Sequence, residues 1–234
     1  MPYRRLIRPL ALGAGVVVIG GGAYGVVSAT SSNDSAGASA GLTANAGSAA
    51  KVRSNARSGP AAGGVVGTVG SVSASSFTVS TSTGQKVTVR KASSTTYRKG
   101  TTSTSASAIT KGKPVLVLGT TDGTTITATQ VVVQPVSGRS ATFSPSKVLP
   151  FKRGAPTTSV QDGKIPAQYS QGSGTIVSGT PADKATRAAL AAYPGGVVNR
   201  VVKLSNGDYE VHNVGVNWPH HIFVNTSFKV VGAD

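Results

Sequence analysis

Cysteine is absent from the 234 residues, and only seven residues are acidic against twenty-three Lys and Arg. Without cysteine there is no disulfide staple, no thiol nucleophile and no thiolate metal site. Six aspartates and one glutamate, widely spread, leave no paired carboxylates for acid–base chemistry. Aromatics are 5% of the chain, with a single tryptophan, so the stacking platform that single-stranded nucleic acid needs is missing. There is no Gly-x-Ser-x-Gly elbow and no phosphate-binding loop. The composition implies no cofactor and no enzyme.

Long apolar runs are also scarce: there is one. Arg4, Arg5 and Arg8 precede a charge-free stretch whose apolar part runs from Leu10 to Ala29. Twenty residues rising about 1.5 Å each just span a bilayer core of roughly 30 Å, although six glycines interrupt the stretch. Val27-Ser28-Ala29 has the small-residue form of a cleavage site. Residues 1–29 are therefore expected to export the chain, as a cleaved signal or as a single-pass anchor with its arginines inside and the C-terminal part extracellular. Residues 30–62, built from Ser, Ala, Gly and Asn, read as a disordered basic stalk.

What the chain has in quantity is positive charge. Cations exceed acids by five in residues 1–62, by six in 63–136, by four in 137–180 and by one in 181–234, which accounts for the net +16. Charge spread in this way suits a diffuse anionic partner, such as lipid or a cell-wall polymer; export argues against nucleic acid.

Residues 63–136 carry short Val- and Thr-rich segments, at Val65–Val72, Phe77–Ser80, Lys86–Val89, Pro114–Leu118 and Thr125–Val133, with turn signals at Thr83-Gly84 and Asp122-Gly123. Five strands in so short a span predict a small barrel. Gly67, Val69 and Val72, then Phe77-Thr78-Val79, Lys111 to Val115 with Gly119, Ile126-Thr127-Ala128 and Val131-Val132-Val133 resemble the DUF5666 family. That resemblance implies an OB-like β-domain of the bacterial envelope. Lys113 stands where the family usually has an acid.

Residues 137–179, with prolines at 145, 150, 156 and 166, read as an extended linker. Beyond them Thr180-Pro181-Ala182-Asp183 signals a helix start. Ala182, Ala185, Ala189 and Ala192 recur at helical spacing beside Thr186, Leu190 and Tyr193; Asp183 and Arg187 sit four apart; Pro194-Gly195-Gly196 stops the helix. Val197–Leu204, the Asn206-Gly207 hairpin signal, Tyr209–Val216, His220–Val224 and Phe228–Val231 predict an antiparallel meander. Ala185 to Leu190, Tyr193-Pro194-Gly195-Gly196, Tyr209-Glu210-Val211-His212 and Phe228 to Val231 resemble a PepSY-type domain of actinobacterial envelope proteins. The resemblance implies a regulatory module acting on peptidases.

The expected architecture is thus two small domains: an all-β OB-like barrel, and an α+β unit at 180–234 with one helix on a three- to four-stranded antiparallel sheet, joined by disordered linkers. Candidate partner-contact residues are Trp218, Tyr209 and His220, facing an exported protein or peptidase; Trp218 equally suits folding over the end of the small core, and Tyr209 suits core or core-edge packing more than contact. His212 and His221, with Glu210 on the same strand side as His212, are the available metal ligands; adjacent His220 and His221 point to opposite sides, so one at most can join His212. The alternatives to a binding or regulatory module are a tether held to anionic wall or lipid and a metal-assisted enzyme.

Overall fold

In the β-rich region the alternation of Val with Thr or Ser produces strands, and the computed structural model of the protein describes them within residues 59–134, 148–155 and 160–234. The segment 1–29, with Arg4, Arg5 and Arg8, and nearly all of the stalk lie outside the described residues. Among the described residues no helix is long and apolar enough to cross a membrane.

The first strands are β1 (Ala61–Val72), β2 (Ser76–Ser80), β3 (Lys86–Lys99), the short β4 (Thr102–Thr104), β5 (Pro114–Asp122) and β6 (Thr125–Val133). β1 pairs with β2, β2 with β3, β3 with β6 in parallel, β6 with β5, and β5 returns to β1. Five strands thereby close into a barrel. Its interior is filled by alternate residues, among them Val65, Val69, Phe77, Val79, Val115, Val117, Val131 and Val133. β3 continues ten residues past its expected end at Val89, because Lys91 and Thr96 flank an irregularity that lets a polar run keep pairing with β6. Tyr97, expected in a loop, is on this extension and packs against the barrel core.

Leu116, Leu118 and Val132 point the other way, out of the barrel, and are as deeply buried as the interior set. What covers them is α1 (Gly179–Ala192), through Ala182, Ala185, Ala189 and Leu190. An uninterrupted Val-Leu-Val-Leu run is what a strand buried on both faces requires. The helix begins one residue before Thr180, with Ser178 at the N-cap position, and Arg187 donates to Gln130 Oε1 on β6. Helix and barrel are therefore locked by a polar clamp as well as by apolar contact.

After the helix come β10 (Val197–Lys203), β11 (Tyr209–Val214), β12 (Val216–Trp218), β13 (His221–Val224) and β14 (Val230–Ala233). β10, β11, β13 and β14 form an antiparallel meander whose Val201, Val211, Ile222 and Val224 face the helix. Asn206-Gly207 makes the expected hairpin, with Gly207 at φ +90° and its N–H on Leu204 O at 3.0 Å. The returning strand stops at Val214, since Gly215 (φ +79°) diverts the chain into β12. The last strand starts two residues later than expected: Asn225 caps the preceding turn through its Oδ1, and Phe228 stacks on Tyr209 at 5.4 Å instead of entering the strand.

The expected linker 137–179 is structured in its described part. β7 (Leu149–Pro150) pairs with β12, β8 (Asp162–Gly163) with β14, and β9 (Thr175–Val177) with β10. Scattered apolar residues with no period of their own, Val148, Ile165, Tyr169 and Ile176, each find a place on the existing cores. The two expected units are joined directly: β1 pairs Gly64 with Val198 and Val65 with Val197 of β10, so one twelve-stranded sheet runs from barrel to meander.

At this junction a Cβ on Gly63 would sit 2.0 Å from Val198 O and 2.9 Å from Thr121 Oγ1. Gly63→Ala is expected to lower unfolding stability by about 1–3 kcal/mol, the usual cost of overpacking, measured by urea denaturation. An unchanged midpoint and slope would mean that the close β1–β10 approach does not constrain the fold.

Candidate functional site

One face of the meander packs on the helix; the other carries the polar residues. Register places Arg200, His212 and His221 side by side across β10, β11 and β13, and Val202, Glu210 and Phe223 in the next row. The period-two geometry of a strand puts all six on one face. His221, and not His220, is the histidine that joins His212, at 5.2 Å between ring centres. His220 turns to the other side, where its Nδ1 lies 3.3 Å from Asn213 O and its N–H donates to Asp234 O.

Glu210 is 1% exposed, and its Oε1 is 2.7 Å from His221 Nδ1. A carboxylate only accepts, so Nδ1 carries the proton and donates it. Tyr169, from the segment expected to be linker, closes over the pair: its hydroxyl lies 3.0 Å from the same Nδ1, and its ring meets Phe223 edge-on at 4.7 Å. Burial, followed by the carboxylates of Glu210 and Asp234, holds the Tyr169 phenol far above its ordinary pKa, against the opposing pull of Arg200. The hydroxyl is therefore neutral.

His212 Nδ1 donates to Asn199 Oδ1 at 2.7 Å. Burial, then the positive field of Arg200 and the neighbouring His221 and His220, pushes its pKa down to about 3. The imidazole is therefore neutral around neutral pH. Two buried atoms in this layer lack hydrogen-bond partners, Arg200 Nε and Glu210 Oε2. Opposite charge in the same low-dielectric layer offsets part of the cost of burying each.

The arrangement orients two imidazoles beside a phenol and a carboxylate. Its hydroxyl is a neutral phenol, and its carboxylate is engaged with His221. For metal, His212 and His221 would each offer one nitrogen, below the three or four protein ligands zinc takes. Among the described residues no group of three His, Cys, Asp or Glu side chains is placed to hold an ion.

Two of the three partner-contact candidates are interior residues. Trp218 is 4% exposed; its indole N–H donates to Val160 O at 2.6 Å, and its ring meets Tyr193 edge-on at 5.5 Å. Tyr209 is 8% exposed, under Phe228. Neither presents a contact surface: β7 pairs with β12 across Trp218, and Phe228 stacks over Tyr209. Sequence reasoning missed Arg200 and Tyr169. A lone arginine amid the valines of β10 was a signal for a buried charge; Tyr169, in a Pro/Ser/Gly stretch, gave none.

No family model, curated protein or solved structure matches the chain.

Two outcomes test these placements. His212 has a folded pKa below its unfolded value near 6.5, so its contribution is intact above about pH 6.5 and is lost as pH falls towards about 3, at up to roughly 1.4 kcal/mol per pH unit. His212→Gln, which keeps a donor for Asn199, is expected to flatten the fall in unfolding free energy between about pH 6.5 and about pH 4 by nearly one proton's slope. An unaltered slope would mean that His212 titrates normally. Trp218→Ala is expected to destabilise by about 3–5 kcal/mol in thermal or urea melts, as befits a core tryptophan; near-native stability would restore it as a surface contact.

Proposed function

We propose that this protein is a non-enzymatic binding module of the cell envelope that seats itself on an anionic surface through its barrel. The observation that carries the reading is the barrel's charge. Seven Lys and Arg fall within residues 59–134 against Asp122 alone, and Lys86, Arg90, Lys99, Lys111 and Lys113 are exposed. Charges distributed around a barrel, with no acids to neutralise them, set up a positive potential that attracts phosphate-rich lipid or wall polymer from any approach. The apolar stretch Leu10–Ala29 behind its arginines fits an exported chain, delivered to such a surface.

The family assignments belong to the same proposal. A closed strand order of β1-β2-β3-β6-β5 with a parallel β3–β6 pair supports the OB-like, DUF5666-type reading of the barrel. A helix laid on an antiparallel meander supports the PepSY-like reading of residues 180–234. Through that likeness an exported protein, a peptidase among them, is the second reading. One feature favours it. The turn after β7 leaves Phe151 64% exposed, while Asn217 holds Lys152 by accepting its N–H at 2.9 Å. A fixed turn that exposes a phenylalanine suits a protein contact better than a polymer.

Salt separates the two. Retention of the full chain on phosphatidylglycerol vesicles or poly(glycerol phosphate) is expected to collapse as sodium chloride rises from about 0.1 M to about 1 M, over which the Debye length shrinks from about 10 Å to about 3 Å. Retention by a protein partner that survives that salt and is lost in Phe151→Ser would favour the regulatory reading and count against the electrostatic one.

A further inference from the structure

Between the barrel and α1 the charge has a concave site. A cleft of about 320 Å³ opens between the barrel and α1, lined by Arg98, Gly100, Thr101, Gln130, Val132 and Arg187. At about 30 Å³ per water it has room for roughly ten, enough for a hydrated oxyanion. We propose that Arg98 and Arg187 form a binding site for a phosphate-type oxyanion in this cleft. The inference deepens the anionic-surface reading and rests on it for the natural source of the phosphate.

Each guanidinium is fixed in place by one bond to the protein. Arg98 Nη2 donates to Thr101 O at the end of its own strand, and Arg187 Nη2 donates to Gln130 Oε1 across the helix–barrel seam. Arginine has five N–H donors in a planar fork, so each keeps donors for a further acceptor. The two come from different elements, β3 and α1, and are brought to one cleft only by the packing of the helix on the barrel. Two planar forks from different elements lining one cleft suit a tetrahedral oxyanion.

Burial lowers the proton affinity of Arg187; Asp183 pulls it back up, and the charge of Arg98 lowers it by a smaller amount. Asp183 is the carboxylate that acts on Arg187, and burial raises its own pKa, with Arg187 pulling it back down. Two cations against one half-buried acid leave the cleft positive. Lys99, the next residue along β3, is exposed and adds to the approach potential. A doubly charged oxyanion would neutralise both guanidiniums at once, which a chloride ion cannot do.

The test uses the full chain and radiolabelled inorganic phosphate in equilibrium dialysis, at an ionic strength held constant with sodium chloride. One phosphate per chain is expected. R98Q and R187Q should each weaken binding roughly tenfold or more, the loss of a charge-assisted hydrogen bond, while K99Q stays within about twofold. Should a glutamine variant melt early, R98K and R187K keep the charge but lose the fork and should still bind more weakly than the parent. Absence of bound phosphate, equal loss in K99Q and R98Q, or full affinity in R98K would each overturn the site. Unlabelled poly(glycerol phosphate) and phosphatidylglycerol vesicles identify the source: the one that displaces the label carries the phosphate group the cleft accepts, and displacement by neither assigns the cleft to a small phosphate-bearing solute. Salt-sensitive retention on vesicles with no bound phosphate would leave the surface reading standing and remove this one.

Discussion

Strand β1 has to do two things with one edge, and the rest of the structure depends on that. Its C-terminal half pairs with β2 to close the barrel, while Gly64 and Val65 pair with β10 to start the meander; β5 takes the opposite edge from Ala61 to Thr68. A strand so shared cannot carry a side chain wherever another backbone crosses closely, which is why Gly63 and Gly64 stand at the crossing. Because the meander starts on the barrel's own strand, α1 finds the barrel's outer face beneath it. Leu116, Leu118 and Val132 then join a core with the helix and with Val201 and Ile222. Two small units near the size where a single core is marginal gain a common one.

The meander uses its two faces differently. The helix face is apolar; the other places Arg200, Glu210, His212 and His221 within one buried layer closed by Tyr169. Isolated, any of these would be expensive to bury. Together they share the cost, since Glu210 accepts from His221 and His212 donates to Asn199. The layer, with two atoms unmet by hydrogen bonds, holds its covering segment through the Tyr169 hydroxyl.

Much of this was legible in the chain. The barrel strands, the alanine face of α1, the Asn206-Gly207 hairpin and the sharing of one strand side by His212 and Glu210 all follow from local rules: period two, period 3.6 and turn chemistry. What was not legible depended on partners distant in sequence. Residues 148–155 and 160–177 have no periodicity because each short piece is added to an edge already built, at β12, β14 or β10. Trp218 illustrates the consequence. Beside a proline at a turn it has the sequence context of an exposed anchor, and only the distant Val160 carbonyl and the Tyr193 ring make it an interior residue. The continuity of sheet from β1 to β10 is likewise invisible to any window shorter than the 130-odd residues that separate Val65 from Val197.

Charge behaves in the same way. Counted along the chain, the excess of cations is diffuse and argues for nothing more than affinity for negative surfaces. Folding makes it uneven. Of the cations in the meander, Arg200 is withdrawn into the buried layer, where it is matched against Glu210 and Asp234 around the Tyr169 phenol. Arg187 is turned towards the barrel and towards Arg98, eighty-nine positions away in sequence, where one partly buried aspartate is the opposing charge. Like charges are not brought together by the hydrophobic effect for their own sake; here the repulsion is tolerated because α1 must cover Leu116 and Leu118, and Gln130 is available to hold the guanidinium. Once tolerated, the pair is a preformed counter-charge for a dianion, and the energy that would otherwise go into ordering two long side chains on binding has already been spent in folding.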